Sequence, residues 1–304
     1  MSAVPSPPAL PPAPSVLRPS SAPLRVCLFG SSTFPPTGSS GHNGIVQYLR
    51  RCGLFHLVVI VPVYRHMFSA KRSAPGALDL TEGDAFEHKL GMCKLAFESA
   101  PLPQASSTLM QDMCSHSPSS PPPPPPSLPP PPIPDVAPCA VSAVEQHLFS
   151  LTQLANPSSD PSSIRVGTAT LLAHLRGACP GHEFHFCLGA DSYISLCEGK
   201  WGSGGRIADM LLGKMHAVHR AGFESRLLAI AALQDSIEAR NASGGKSGAG
   251  REFSVPATLH RVPGLGDVSS TRARDTRDEG ELRELVGEGV AGYIMDNKLF
   301  GFSE

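Results

Sequence analysis

None of the eight cysteines forms a CxxC pair, and several lie inside apolar runs. That spacing reads as buried free thiols in a reducing compartment, not a disulfide framework or a cysteine-rich metal knuckle. No apolar run approaches the roughly 18 residues a membrane span requires, and the N-terminus lacks a secretory apolar core. Charge of one sign is also lacking. With 25 Lys+Arg against 26 Asp+Glu the formal net charge is −1, so no whole-molecule field recruits nucleic acid or an acidic membrane. Binding must therefore be local.

Proline and glycine are abundant, at 32 and 29 of 304 residues. They are concentrated in blocks, the signature of disordered inserts around an ordinary domain with a core of its own. Residues 1–23 read as a disordered Pro/Ser/Ala-rich tail. No acidic residue precedes Asp79, so an organellar transit peptide is the alternative to a cytoplasmic location. Residues 24–304 read as one domain, interrupted by inserts at about 101–140 and 241–251. The first insert, with its run "SPSSPPPPPPSLPPPPIPDVAP", is expected to be polyproline II or unordered, a spacer or a ligand for an SH3- or WW-type groove. The second is a Gly/Ser-rich loop.

Within the domain, strands and helices alternate. "LRVCLFG" is a buried strand closed by Gly30. "GHNGIVQYLRRCGLF" carries a helical apolar pattern at Ile45, Val46 and Leu49, and "HLVVIVPVY" is a β-branched run suited to a parallel strand covered on both faces. Helical patterns follow at Glu82 to Ala100, Val141 to Leu154 and Thr168 to Arg176. "EFHFCLGAD" and "KMHAVHRAG" read as strands with the helical "GGRIADMLLGK" between them, "ATLHRV" as a last strand, and "VAGYIMDNKLFGF" as a closing helix. This alternation predicts an α/β fold with a Rossmann-like, doubly wound parallel sheet, whose ligands lie over the carboxyl ends of the strands.

Two stretches suit an anion. In "GSSTFPPTGSSGH", a Gly/Ser loop after a strand leads to a helix start with His42, where free amides and the helix dipole favour phosphate and an imidazole can stabilise charge during transfer. Gly30, Ser31, Ser32, Thr37, Ser39 and Gly41 are its phosphate-binding candidates. Far downstream, "VSSTRAR" sets Ser269, Ser270 and Thr271 at a helix start, with Arg274 one turn on. Two cradles on one sheet point to a nucleoside triphosphate.

With these segments in view, the chain resembles the nicotinamide/nicotinate mononucleotide adenylyltransferases of the nucleotidyltransferase superfamily. "FGSSTFPPTGSSGH" is similar to their Gly-x-Phe-x-Pro-Pro loop and its Gly-His pair, and "VPVYRHMFSAKR" to the segment after their second strand. "CLGADSYISLCEGKW" is similar to their Gly-x-Asp region, "VHRAG" to their Arg-Gly strand end, "VSSTRAR" to their Ser-Ser-Thr-x-x-Arg motif, and "VAGYIMDNKLF" to their C-terminal helix.

The resemblance implies transfer of AMP from ATP to a pyridine mononucleotide with release of pyrophosphate. It casts His42, Arg274 and Lys71 as catalytic groups and Ser269 to Thr271 as holders of the outer phosphates. Gly189 and Asp191 would line the ATP ribose, Trp201 would stack on the pyridine ring, and Arg220 would join it at the mononucleotide. Mg²⁺ would enter mainly through the ATP phosphates, without a dedicated set of protein ligands.

The chain departs from the family at its first loop. Thr37 stands two residues too early, and Ser39 takes the strict position before Gly-His, so an altered loop geometry is expected. A cytidylyltransferase with another phosphate acceptor, or a catalytically degenerate nucleotide-binding adaptor, stays open beside the adenylyl reading. The amide and acid mononucleotides are not distinguished.

Three look-alikes are set aside. "SGGKSGAG" mimics the end of a phosphate loop but has Arg240 where the first glycine should fall and no strand before it. In "HEFH" and "HAVH", His182 with His185 and His216 with His219 stand three apart on strands, facing opposite sides, so no zinc site is expected. The sequon at Asn241 matters only in a secreted chain.

Overall fold

The computed structural model describes residues 22–65, 82–98, 101–114, 129–201, 203–219, 224–242 and 256–302. Lys71 and Arg220, the proline run 115–128, the Gly/Ser-rich segment 243–255 and the N-terminal tail lie outside the described residues.

Six strands form one all-parallel sheet: β1 (Arg25–Ser31), β2 (Leu57–Pro62), β3 (Cys139–Val141), β4 (Glu183–Gly189), β5 (Met215–Val218) and β6 (Ala257–His260). Their spatial order is β3-β2-β1-β4-β5-β6, the doubly wound arrangement, with the chain reversing direction across the sheet between β1 and β4. Every residue of β2 is buried, as its unbroken apolar run requires of a strand covered on both faces.

One face of the sheet receives α1 (His42–Arg51) and α2 (Glu82–Phe97), which pack Ile45, Val46, Leu49, Phe86, Leu90, Cys93 and Phe97 onto Cys27, Phe29, Val58 and Ile60. The other face packs α3 (Gln104–Met113), α4 (Val144–Ala155), α5 (Thr168–Ala178), α6 (Ala190–Cys197), α7 (Gly204–Met210) and α8 (Glu224–Ala242) over alternate strand residues such as Val26, Leu28, Val59 and Phe186. The chain ends in α9 (Ser270–Asp275), α10 (Glu279–Val286) and α11 (Glu288–Asp296), which form a third cluster with Met92 of α2. Among the described residues no helix is long and apolar enough to cross a membrane.

The expectation for 101–140 needs correction. Its first part forms α3, with Leu109 and Met113 buried, and its end forms the edge strand β3. The physical reason is where the prolines stand. None falls within 104–113, and Pro103 sits at the N-cap, where its missing N–H costs nothing. The next strand after α2 is therefore β3, beyond the proline run. The residues that follow it, 129–138, are tied to α1 and to the residue before β2: Pro131 O lies 2.8 Å from His56 Nε2, and Arg50 Nε donates to Ala137 O at 2.8 Å.

Other boundaries shift for related reasons. Val141 pairs with Ile60 in the sheet, so α4 starts only at Val144. The closing helix stops at Asp296 because Lys298 adopts φ 53° and breaks its hydrogen-bond ladder. All eight cysteines are free thiols, five of them buried.

Leu49 is fully buried between α1 and the sheet. Leu49→Ala is expected to cost about 2–5 kcal/mol, measured by urea unfolding. A loss below ~1 kcal/mol would show that this apolar contact does not hold α1 in place.

Candidate active site

At the carboxyl ends of β1 and β4, where the sheet reverses its winding, lies a cavity of about 840 Å³. Open α/β sheets bind their ligands at this position because the first loops diverge to opposite faces and leave a crevice.

The cavity collects most of the residues singled out in the sequence. Gly30, Ser31 and Ser32 line it from the end of β1, and Thr37, Gly41 and His42 from the loop into α1. Gly189 and Asp191 line it from the turn into α6, with Trp201 beyond. Ser269, Ser270, Thr271 and Arg274 close it from α9. Ser39 is not among the lining residues, and its neighbour Ser40 is.

The displaced Thr37 keeps its tie to the histidine. Its hydroxyl lies 2.8 Å from His42 Nδ1 and accepts the His42 backbone N–H at 2.8 Å, while its own N–H donates to Nδ1 at 3.2 Å. Nδ1 is therefore an acceptor, and the imidazole proton resides on Nε2. The two extra residues are absorbed in a turn in which Gly41 N donates to Gly38 O at 2.9 Å. The turn is tight: a Cβ on Gly41 would fall 2.0 Å from Thr37 Oγ1. Thr37 also receives the N–H groups of His42 and Asn43, so fewer first-turn amides remain for an anion than the sequence suggested.

The second cradle is also partly engaged. Arg274 Nη1 donates to Phe34 O at 2.7 Å and Nη2 to Thr271 Oγ1 at 3.1 Å, and Ser270 Oγ donates to Pro35 O at 2.8 Å. These bonds clasp the β1 loop to α9 and bring the two motifs, some 230 residues apart in sequence, to one wall. Burial lowers the Arg274 pKa from its ordinary value, which leaves a guanidinium charged at neutral pH. Ser269 is spent as the N-cap, accepting Arg272 N–H at 3.1 Å. At six residues, α9 is too short to contribute a strong dipole, so attraction for an anion there rests on the Arg274 charge.

Two residues that sequence reasoning missed also line the cavity: Lys89 of α2 and Glu145 of α4. They grip opposite ends of one peptide unit just past β2. Lys89 Nζ donates to Val63 O at 2.6 Å, and Glu145 Oε2 accepts Tyr64 N–H at 2.9 Å. Desolvation pulls Lys89 down to about 8 and pushes Glu145 up to about 7. The Lys89 ammonium also lies 5.4 Å from the centre of the Phe34 ring. The one available signal was a charged residue inside each amphipathic helix pattern; nothing local marked either as facing a cavity.

Neither a family model nor a curated protein matches the sequence. Solved structures do match. A Plasmodium falciparum nicotinic acid mononucleotide adenylyltransferase complexed with NaAD aligns over 92% of this chain and 98% of its own, at 18% identity and TM-score 0.51. The same enzyme complexed with APC aligns over the same shares at 17% identity and TM-score 0.50. At such identities the likeness is one of fold, and it confirms the Rossmann-like α/β architecture.

Glu145, whose pKa is raised on folding, stabilises the fold below about pH 4.3, and that contribution fades as pH rises through about 7. Glu145→Gln should remove this fall, flattening stability between pH 5 and 7.5 by about 2–3 kcal/mol, as read by urea unfolding at each pH. An unchanged slope would show that the carboxyl titrates normally.

Proposed function

We propose that the chain is a pyridine-mononucleotide adenylyltransferase, joining nicotinamide or nicotinate mononucleotide to the AMP part of ATP. The observation that carries this reading is the convergence of the His42 imidazole and the Arg274 guanidinium on one cavity at the β1/β4 crossover. The fold shared with two structures of an enzyme of that name supports it, as do the motifs read from the sequence. The Thr37–His42 bonds favour it over a degenerate adaptor, because the altered loop still presents the imidazole with a fixed tautomer.

In this reading an oxygen of the mononucleotide phosphate attacks the α-phosphorus of ATP in line, and the bond to the β-phosphate oxygen breaks with pyrophosphate taking the electron pair. No covalent enzyme intermediate is needed. His42 donates its Nε2 proton as a hydrogen bond to the phosphoryl oxygens, and Arg274, with Ser270 and Thr271, holds the outer phosphates. Asp191 accepts from ribose hydroxyls, and Trp201 stacks on the pyridine. Lys89 gives the mononucleotide side of the cavity a cation, alongside the roles proposed for Lys71 and Arg220. Positioning and electrostatic stabilisation supply the rate.

Among the described residues, Asp191 and Glu145 are the carboxylates that line the cavity, on separate elements. That sparse set fits Mg²⁺ carried in on the triphosphate with most of its waters kept, where it would neutralise phosphate charge.

Pyrophosphate release with ATP plus either mononucleotide tests the reading; turnover with CTP alone, or ATP binding without turnover, would overturn it. His42→Ala should abolish turnover while ATP affinity stays within roughly tenfold, because the imidazole bond strengthens in the transition state. A variant that turns over at the normal rate would remove His42 from the chemistry.

A further inference from the structure

Two of the histidines set aside as zinc ligands, His185 and His216, meet a third, His260, in another way. His185, His216 and His260 stand on β4, β5 and β6, on the face covered by α1, and each is diagonal to the next. Cys187 is the partner of His216, and Val218 that of His260, so each step moves one strand across and two residues toward the carboxyl ends.

The rings touch nitrogen to nitrogen. His185 Nδ1 is 2.9 Å from His216 Nε2, and His216 Nδ1 is 2.8 Å from His260 Nε2. At the upper end His260 Nδ1 is 3.2 Å from the Tyr48 hydroxyl of α1. At the lower end His185 Nε2 faces Glu183 Oε1 at 3.4 Å, close to the carboxylate charge but without a hydrogen bond to it. Phe55 covers the row edge-on, its ring centre 5.4 Å from that of His185 and 5.2 Å from that of His216.

One proton arrangement closes the three hydrogen-bonded contacts and turns an N–H toward the carboxylate. The negative charge of Glu183 favours the His185 N–H on Nε2, which leaves Nδ1 to accept; His216 and His260 follow in the same sense, and Tyr48 donates to His260. All three rings are then neutral with the proton on Nε2. A first added proton can rest on any of the three rings, provided that His260 Nδ1 then carries an N–H and Tyr48 turns to accept it. A second would set N–H against N–H.

We propose that this row is an acid-sensitive latch, which holds α1 and β6 to the sheet and so fixes the spacing between the two halves of the phosphate cradle. His42 is the first residue of α1, and β6 leads through Leu265, Gly266 and Val268 to Ser269. β6 is a four-residue edge strand, so its hold on the sheet depends heavily on side chains. The geometry stands by itself; its link to catalysis rests on the proposed function.

The surroundings set the direction of the pH response. Burial lowers the pKa of all three histidines, that of His216 to about 4, where its two imidazole neighbours add to the burial. The charged groups facing the row are Glu183 of β4, Arg25 of β1 and Lys214 ahead of β5. Both cations bind Glu183 at 3.3 Å and keep it ionised. The Cys27 and Cys187 thiols lie on the same face, with Cys27 held neutral by burial. Because the folded values lie below the unfolded one, the latch contributes fully above about pH 6.5 and is lost as pH falls toward 4.

Imidazole ¹⁵N spectra of the full chain, recorded from pH 7.5 to 4.5, test the arrangement. Three Nε2–H rings at pH 7, none protonating near 6.5, are expected. A ring carrying its proton on Nδ1, or one titrating alone near 6.5, overturns the latch. Tyr48→Phe removes the phenol both as donor to the neutral row and as acceptor for its first proton, so it loosens α1 from the sheet and should raise the acid midpoint of near-ultraviolet circular dichroism by about one pH unit. An unchanged midpoint also overturns it. His260→Gln keeps a donor toward His216 and should hold the acid limb of pyrophosphate release closer to wild type than His260→Leu; equal limbs would refute the link to the cradle. Absence of pyrophosphate release in wild type would fail the proposed function, while the spectra and the midpoint still decide the latch.

Discussion

A parallel sheet covered on both faces leaves only the ends of its strands to meet solvent, and this constraint organises the rest of the molecule. Val58, Val59, Ile60 and Val61 are all fully buried, alternating between the two helical layers. Chemistry cannot sit on either face, so it gathers where the crossovers leave the strands. The reversal between β1 and β4 makes that edge concave, because the loop after β1 and the turn into α6 leave in different directions.

Around this cavity, polar groups are held mainly by one another. Thr37 fixes the ring of His42, Arg274 and Ser270 clasp the carbonyls of Phe34 and Pro35, and Lys89 and Glu145 grip a single peptide at the end of β2. Buried charges bonded to backbone dipoles are held in place without neutralising each other completely. In the proposed function a phosphate-rich ligand would enter a site whose donors are already oriented, with little to reorganise at the moment of reaction.

The same economy extends beneath α1. Three imidazoles that would each be costly as isolated buried polar groups hydrogen-bond one another in a row, with a phenol bonded at one end and a carboxylate facing the other. The row links the elements that carry the two halves of the cradle.

The alternation of strand and helix, the Gly/Ser-rich loop of 30–42 and the Ser-Ser-Thr-x-x-Arg run were legible in the sequence, because each is a local pattern of a few residues with its own physical signature. Local patterning also misled: the proline run hid α3 and β3, since composition averaged over forty residues conceals ten that lack proline. That His42 and Arg274 share a wall, that Thr37 reaches its partner despite two added residues, and that Lys89 and Glu145 face a cavity were decided only by tertiary structure. So was the meeting of His185, His216 and His260, which stand 31 and 44 residues apart in sequence. Periodicity within one strand tells which face a side chain takes; only the register between strands tells which side chains touch.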